Sequence, residues 1–260
     1  MKRKQLIPAL LALGIPSGLL NDFPRLPPDI KGLLVYGSQA RRDAVPGSDL
    51  DLLALVEGFR PTTQAGDVNV SYYTQVQLST GIGTLFGAHL KRDAIIIWDT
   101  GQQLTEAVDA MGEVDTDRLL ERAWQMSQLF TSAERDLPKY LPGLLRQARY
   151  LLRSCLYARA IADRDPCFSV RELASRNHDP RLAQLLASRQ PSDATVADYE
   201  ACLSRLQALV GQFPRSEHGS LEATIVNEWG QPGDVRSMAF MALGVTGQGS
   251  DYAEVEKILL

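Results

Sequence analysis

Apolar residues recur along this chain with two different periods, and the change between them divides it. Through about residue 111 they form short runs closed by turn residues, the pattern of strands. Leu33–Tyr36 ends at Gly37-Ser38, Leu50–Val56 follows Asp49, Val68–Tyr73 follows the Gly66-Asp67 turn, and Ala94–Trp98 is closed by Asp99-Thr-Gly101. Beyond Leu52 the second run is apolar on both faces, as expected of a central strand covered on each side. Residues 5–13 predict a short helix, and the proline-rich Phe23–Asp29 leads into the first strand. Further helices are predicted over Thr74–Leu90 and Leu104–Met111. Together these elements predict an α/β (α+β) domain with a small mixed sheet over residues 1–111.

The remainder has helical periodicity and no convincing strand, which predicts an all-α helical bundle over residues 112–260, with the boundary near Gly112. Pro142 suits the first turn of a helix running to about Ala162. At 100° per residue, Leu141, Leu144, Leu145, Ala148, Leu151 and Leu152 fall on one face of it. Arg146, Arg149 and Arg153 form a flanking stripe that reads as a solvated face. Further helices are predicted at Val170–Ser175, Pro180–Arg189, Val196–Phe213 and Leu221–Trp229.

Composition changes this picture little. The chain has 260 residues and a formal net charge of -4, which exerts no global pull toward nucleic acid. No broad basic surface or aromatic stacking platform is evident, so an elongating polymerase is disfavoured. Residues 137–162 carry Lys139 and four arginines with no acid, whereas the stretch from Ser216 onward is acidic and reads as solvated surface. Cys155, Cys167 and Cys202 lack metal-ligand spacing and imply reduced thiols in a cytoplasmic protein. Leu6–Leu20 after Met1-Lys-Arg-Lys is interrupted by Pro8, Gly14, Pro16 and Gly18, so it reads as a packed helix rather than an export signal or a membrane span.

The candidate chemistry lies where the first two strands meet. Ten residues separate Gly37-Ser38 from Asp49-Leu50-Asp51. Side chains two apart on a strand share a face, so Asp49 and Asp51 set two carboxylates side by side. Adjacent carboxylates repel unless a cation neutralises them. Two hard oxygen ligands beside a glycine turn suit a magnesium ion carrying a nucleoside triphosphate. Gly37 would let the backbone approach a phosphate with no Cβ in the way. Ser38 offers a hydroxyl and a backbone N–H, and the residues after it can open a helix whose N-terminus favours anions. Ser48 directly precedes the acidic pair, and Arg41 reads either as a charge that offsets the triphosphate or as an ordinary surface arginine. Taken alone, Asp49 and Asp51 also read as turn residues at a strand start.

This Gly-Ser turn followed by Asp-x-Asp resembles the signature of the polymerase-beta-like nucleotidyltransferase superfamily, of aminoglycoside-adenylyltransferase-like or minimal type. The resemblance covers residues 32–56 and extends more loosely to about Leu104. It implies Asp49 and Asp51 as catalytic and metal-binding residues holding one or two Mg²⁺ ions. ATP would be the substrate, AMP passing to a hydroxyl of a small molecule or protein and pyrophosphate leaving. The family adds a third acid on a neighbouring strand, where this chain has Asn69; Asp67 projects from the same face one pleat earlier. Asn offers a neutral oxygen and no base. The departure leaves open a weakened enzyme, a third acid from the helical part, or a turnover-impaired nucleotide-binding protein acting as a regulatory or antitoxin-like partner. In the helical part, Arg153–Ala174 is similar to the helical domain of aminoglycoside adenylyltransferases. Ser169 and Arg171 match an element there that helps hold the triphosphate. From the residues alone, Ser169 is a helix N-cap and Arg171 a surface residue. His89 reads as packing and His178 as a helix end, and no general base stands out among Glu106, Glu121, Glu134 and Asp136.

Overall fold

The computed structural model describes residues 3–45, 47–131, 135–187, 194–229 and 233–244. Its chain divides after Glu113 into two compact units.

The first unit is built on five strands: β1 (Gly32–Tyr36), β2 (Leu50–Leu55), β3 (Thr63–Ala65), β4 (Val68–Tyr73) and β5 (Ile95–Asp99). They form one mixed sheet in the order β3-β4-β2-β1-β5, antiparallel except for the parallel pair β2 and β4. The helices of this unit are α1 (Arg3–Ala12), α2 (Gly37–Arg41), α3 (Gln75–Ser79), α4 (Leu85–Asp93) and α5 (Gln103–Asp109). Alternation along β1 and β2 sends side chains into two cores. Leu33, Val35, Leu52 and Ala54 pack with Leu6 and Leu10 of α1 on one face. Leu34, Leu53 and Leu55 pack with Leu78, Leu90 and Leu104 on the other. This two-sided burial accounts for the uninterrupted apolar run of β2.

The structure corrects several expected elements. The single helix predicted over Thr74–Leu90 is two. Gly83 takes φ 75°, and Thr84 then caps α4 by accepting from the Gly87 amide at 3.0 Å. A Cβ on Gly87 would overlap the Gly81 carbonyl oxygen, so the glycines at this bend permit a close backbone return. Strand β3 was not anticipated, because Thr63-Gln-Ala65 has no apolar alternation and is a strand by pairing with β4.

The second unit is helical among the described residues: α6 (Thr116–Met126), α7 (Leu137–Ala162), α8 (Val170–Arg176), α9 (Pro180–Ala187), α10 (Val196–Val210), α11 (Leu221–Asn227) and α12 (Asp234–Leu243). Its core runs along α7 through Leu144, Leu145, Leu151 and Leu152, with Cys202 and Leu206 of α10 and Met238 of α12. Helices α6 and α12 were not anticipated. Tyr140, at φ -125° and ψ 17°, breaks α7 just before Pro142, so the continuous helix does start at the proline. Helix α10 stops at Val210 because Gly211 takes φ 87°, and α11 ends two residues short of Trp229. Arg189, the expected end of α9, lies outside the described residues, as does the acidic stretch beyond Gly244. Arg146 is not only a solvated side chain: its guanidinium donates to the Met241 carbonyl in the last turn of α12. No helix among the described residues is long and apolar enough to cross a membrane.

All three cysteines are free and buried, and burial pushes the Cys155 thiol up to about 12 and Cys202 to about 11. The break in α7 is held by Glu222 of α11, whose Oε1 accepts from the Tyr140 hydroxyl at 2.7 Å and from Lys139 Nζ at 3.0 Å. Those two bonds, Tyr140 first, pull the Glu222 carboxyl down to about 2. A depressed carboxylate stabilises the fold above its ordinary value of 4.5 and loses that contribution as pH falls through about 2. The side chain is 45% exposed, so the effect is worth less than about 1 kcal/mol. Glu222→Gln is expected to lower the urea midpoint slightly at pH 6, with the gap to wild type closing toward pH 3; a constant gap would contradict this assignment.

Candidate active site

Strand β1 stops at Tyr36 because Gly37 turns the chain at φ 76°, a conformation that disfavours any residue with a Cβ. The next residues form the five-residue α2, which ends at Arg42 in the left-handed region, φ 62°. This is shorter than an anion-binding helix would need to be, so its dipole contributes little. The return loop is tied internally, with the Val45 amide donating to the Ser48 hydroxyl at 2.8 Å and the Ser48 amide donating to the Val45 carbonyl at 2.8 Å. The Leu50 amide, donating to the Asp67 carbonyl at 2.7 Å, then leads the chain into β2.

This path brings Asp49 and Asp51 back beside the turn. In register, Asp51 lies opposite Tyr36 on β1 and opposite Asn69 on β4. A Cβ built on Gly37 would stand 2.8 Å from Asp51 Oδ2. The glycine is therefore required twice, for its backbone angle and for the space the carboxylate fills. On the other side, the Asn69 amide nitrogen donates to Asp51 Oδ1 at 3.3 Å and to Asp49 Oδ2 at 3.0 Å. One amide thus spans both carboxylates, which places Asp49 and Asp51 on the same face. All three side chains are half-buried.

The remaining expected residues sit as follows. Ser38 is half-buried next to the turn, and the Ser48 hydroxyl is occupied by its own loop. Arg41 is tied to α4: Nη1 lies 2.9 Å from His89 Nε2 and 3.4 Å from Asp93 Oδ2, while Nε donates to Asp43 at 3.3 Å. Two carboxylates therefore share its charge. Burial pushes the Asp93 carboxyl up from its ordinary value, and Arg41 and Arg92 pull it part of the way back. Asp93 was missed in the sequence, although His89 and Asp93 stand four apart on one helix and the pair was legible there. In the helical unit, Ser169 caps α8 by accepting from the Glu172 amide at 3.4 Å, and Arg171 is exposed. His178 closes α8 at φ 50°. That unit also holds a cavity of about 340 Å³ lined by Leu120, Trp124, Leu209 and Val210 with Asp117 and Glu121. Glu134 lies outside the described residues.

Two carboxylates and an amide define what the site can bind. Among the described residues no group of three or more His, Cys, Asp or Glu side chains is arranged to hold a metal, so Asp67 does not join the pair. A Mg²⁺ ion characteristically takes one or two protein carboxylates and completes its shell with water and substrate phosphates. The donor set fits that requirement and falls short of a closed all-protein cage.

Residues 17–127 match the family model described as a nucleotidyltransferase domain, a segment that contains all five strands and all of α6. The chain is also similar to the crystal structure of a nucleotidyltransferase-like protein from Exiguobacterium sibiricum 255-15. Identity there is 12%, with 95% of this chain and 81% of that chain covered and a TM-score of 0.32, a likeness too weak to carry an argument. No curated protein matches the chain.

Proposed function

We propose that this chain, whose residues 17–127 match the nucleotidyltransferase-domain family model, transfers the nucleoside monophosphate of an NTP, AMP from ATP, to a hydroxyl of a small-molecule or protein acceptor. In that reaction the acceptor oxygen bonds to the α-phosphorus, the bond from the α-phosphorus to the β-bridging oxygen breaks, and pyrophosphate leaves with the electron pair. The hydroxyl proton passes to solvent or to a base on the acceptor side. Asp49 and Asp51 would hold the Mg²⁺, which when bound offsets phosphate charge and lowers the pKa of the attacking hydroxyl. Gly37 keeps the space in front of Asp51 clear of any side chain. Asn69 orients the two carboxylates toward a common point, and Arg41, braced by Asp43 and Asp93, holds the end of α2 in place. Ser38 and Ser48 flank the phosphate path. The reading places the protein in the cytoplasm, where NTP and reduced thiols coexist.

The observation that carries the proposal is the Asp49–Asn69–Asp51 arrangement against Gly37. A net charge of -4 argues against nucleic acid as acceptor. One second reading is favoured by a specific residue: Asn69, standing where the family has an acid, supports a protein that binds nucleotide without turning it over. Calorimetry with ATP, GTP, CTP and UTP in the presence of Mg²⁺, followed by pyrophosphate release with hydroxyl acceptors, tests both. Binding of Mg-ATP with pyrophosphate release is the expected result. Binding without release under every acceptor would favour the second reading, and no binding of any nucleotide would sink both.

A further inference from the structure

We infer that this site takes up its divalent ion only together with a nucleoside triphosphate, because position 69 holds a neutral side chain, Asn69, where a carboxylate would supply a third charge. The inference rests on the nucleotidyl-transfer reading above. Two carboxylates on one face repel each other when nothing lies between them. Here the Asn69 amide lies between them, with its nitrogen donating to Asp49 Oδ2 at 3.0 Å and to Asp51 Oδ1 at 3.3 Å. The assignment of nitrogen rather than oxygen to that position follows from the two acceptors it meets, since the oxygen would face two negative groups. The pair is therefore held together in the free protein by a neutral donor.

A free ion arriving at this site gains only two protein charges, and to use the carboxylate oxygens that Asn69 holds it must also displace their hydrogen bonds. Mg²⁺ gives up its water reluctantly and is seldom bound by so few protein ligands alone. No third carboxylate compensates, because no larger acidic or His/Cys cluster exists among the described residues. An ion already carried on a triphosphate brings the missing negative oxygens with it. Asn69 can then rotate its amide so that the oxygen faces the ion. The parallel register that sets Asn69 directly beside Asp51 makes the choice of side chain at this position decisive. A carboxylate there would complete a three-charge site able to load an ion before the nucleotide.

The test is equilibrium binding of Mn²⁺, alone and with a non-hydrolysable ATP analogue, to the full chain. Only binding lost in Asp51→Asn is counted. Wild type is expected to bind Mn²⁺ alone at least ~100-fold more weakly than in the presence of the analogue. Asn69→Asp is expected to raise affinity for Mn²⁺ alone by ~10-fold or more, the effect of one added charge close to a solvated site. Asn69→Ser, smaller and neutral, is expected to keep the wild-type order, and it serves as the second variant if Asn69→Asp melts below the assay temperature. If wild type binds Mn²⁺ alone as tightly as with the analogue, or if Asn69→Ser gains as much as Asn69→Asp, the inference is overturned. Failure of wild type to bind the analogue even with Mn²⁺ present overturns the nucleotidyl-transfer reading itself, and this inference with it.

Discussion

Asp51→Asn is expected to reduce nucleotidyl transfer by ~10³-fold or more while leaving the fold intact. The Asp51 carboxylate reaches both halves of the site, with one oxygen against the space kept open by Gly37 and the other accepting from Asn69. Replacing it with an amide of the same shape removes one of the two charges available to a cation and sets two amides against each other. Stabilisation of phosphate charge by a protein-bound ion is worth several kcal/mol, and ~4 kcal/mol corresponds to about a thousandfold in rate. Stability should hold or rise slightly, since the substitution relieves repulsion with Asp49. Initial rates of pyrophosphate release and a thermal melt on the same preparation check both halves. Residual activity within tenfold of wild type would remove Asp51 from the mechanism.

The largest effect on stability is expected away from this site, at Gly143→Ala in α7. A Cβ there would overlap the Ala242 carbonyl oxygen of α12 and stand 2.6 Å from its carbonyl carbon. These are backbone atoms at a buried position, with Ala242 only 2% exposed, so no side chain can swing aside. The two helices would have to separate, disturbing the Arg146 bond to the neighbouring Met241 carbonyl. Overpacking of this kind costs about 1–3 kcal/mol and sometimes more, against a gain of about 1 kcal/mol for replacing glycine in a helix. Because the overlap is with rigid backbone, the net loss is expected at the upper end, up to about 2 kcal/mol, which lowers the melting temperature by up to roughly 4–8 °C. Gly219→Ala, where a Cβ meets nothing within 4 Å, is the matched control and should be near neutral. Equal melting of the two variants would show that α7 and α12 are not in contact at Gly143.

Much of the sheet was legible because its signals are local. The runs at Leu33, Leu50, Val68 and Ile95 are apolar, β-prone and bounded by glycine or aspartate turns, and each became a strand within a residue or two. The resemblance put Asn69 at the position of a third acid on a neighbouring strand, and the parallel register sets it beside Asp51. Helix α6 was readable and was missed: Asp115 caps it, and Leu119, Ala123 and Met126 recur at helical spacing. Breaking the expected helix at Gly81–Gly83 needed knowledge of which glycine takes a positive φ, and the sequence does not state that.

Other features had no local signature. Arg41 is held by Asp93, 52 residues away, and only the packing of α4 against α2 shows it. That Gly37 must lack a side chain for the sake of Asp51, and not only for its own turn, depends on the strands pairing as they do. By itself, the order of residues determined where strands and most helices form and which polar groups stand at strand ends, because periodicity and turn preference act over a few residues. Tertiary structure alone decided that one neutral amide bridges two carboxylates and that one glycine leaves room for one of them, because distances of about 3 Å between chain-distant atoms arise only when the strands are paired.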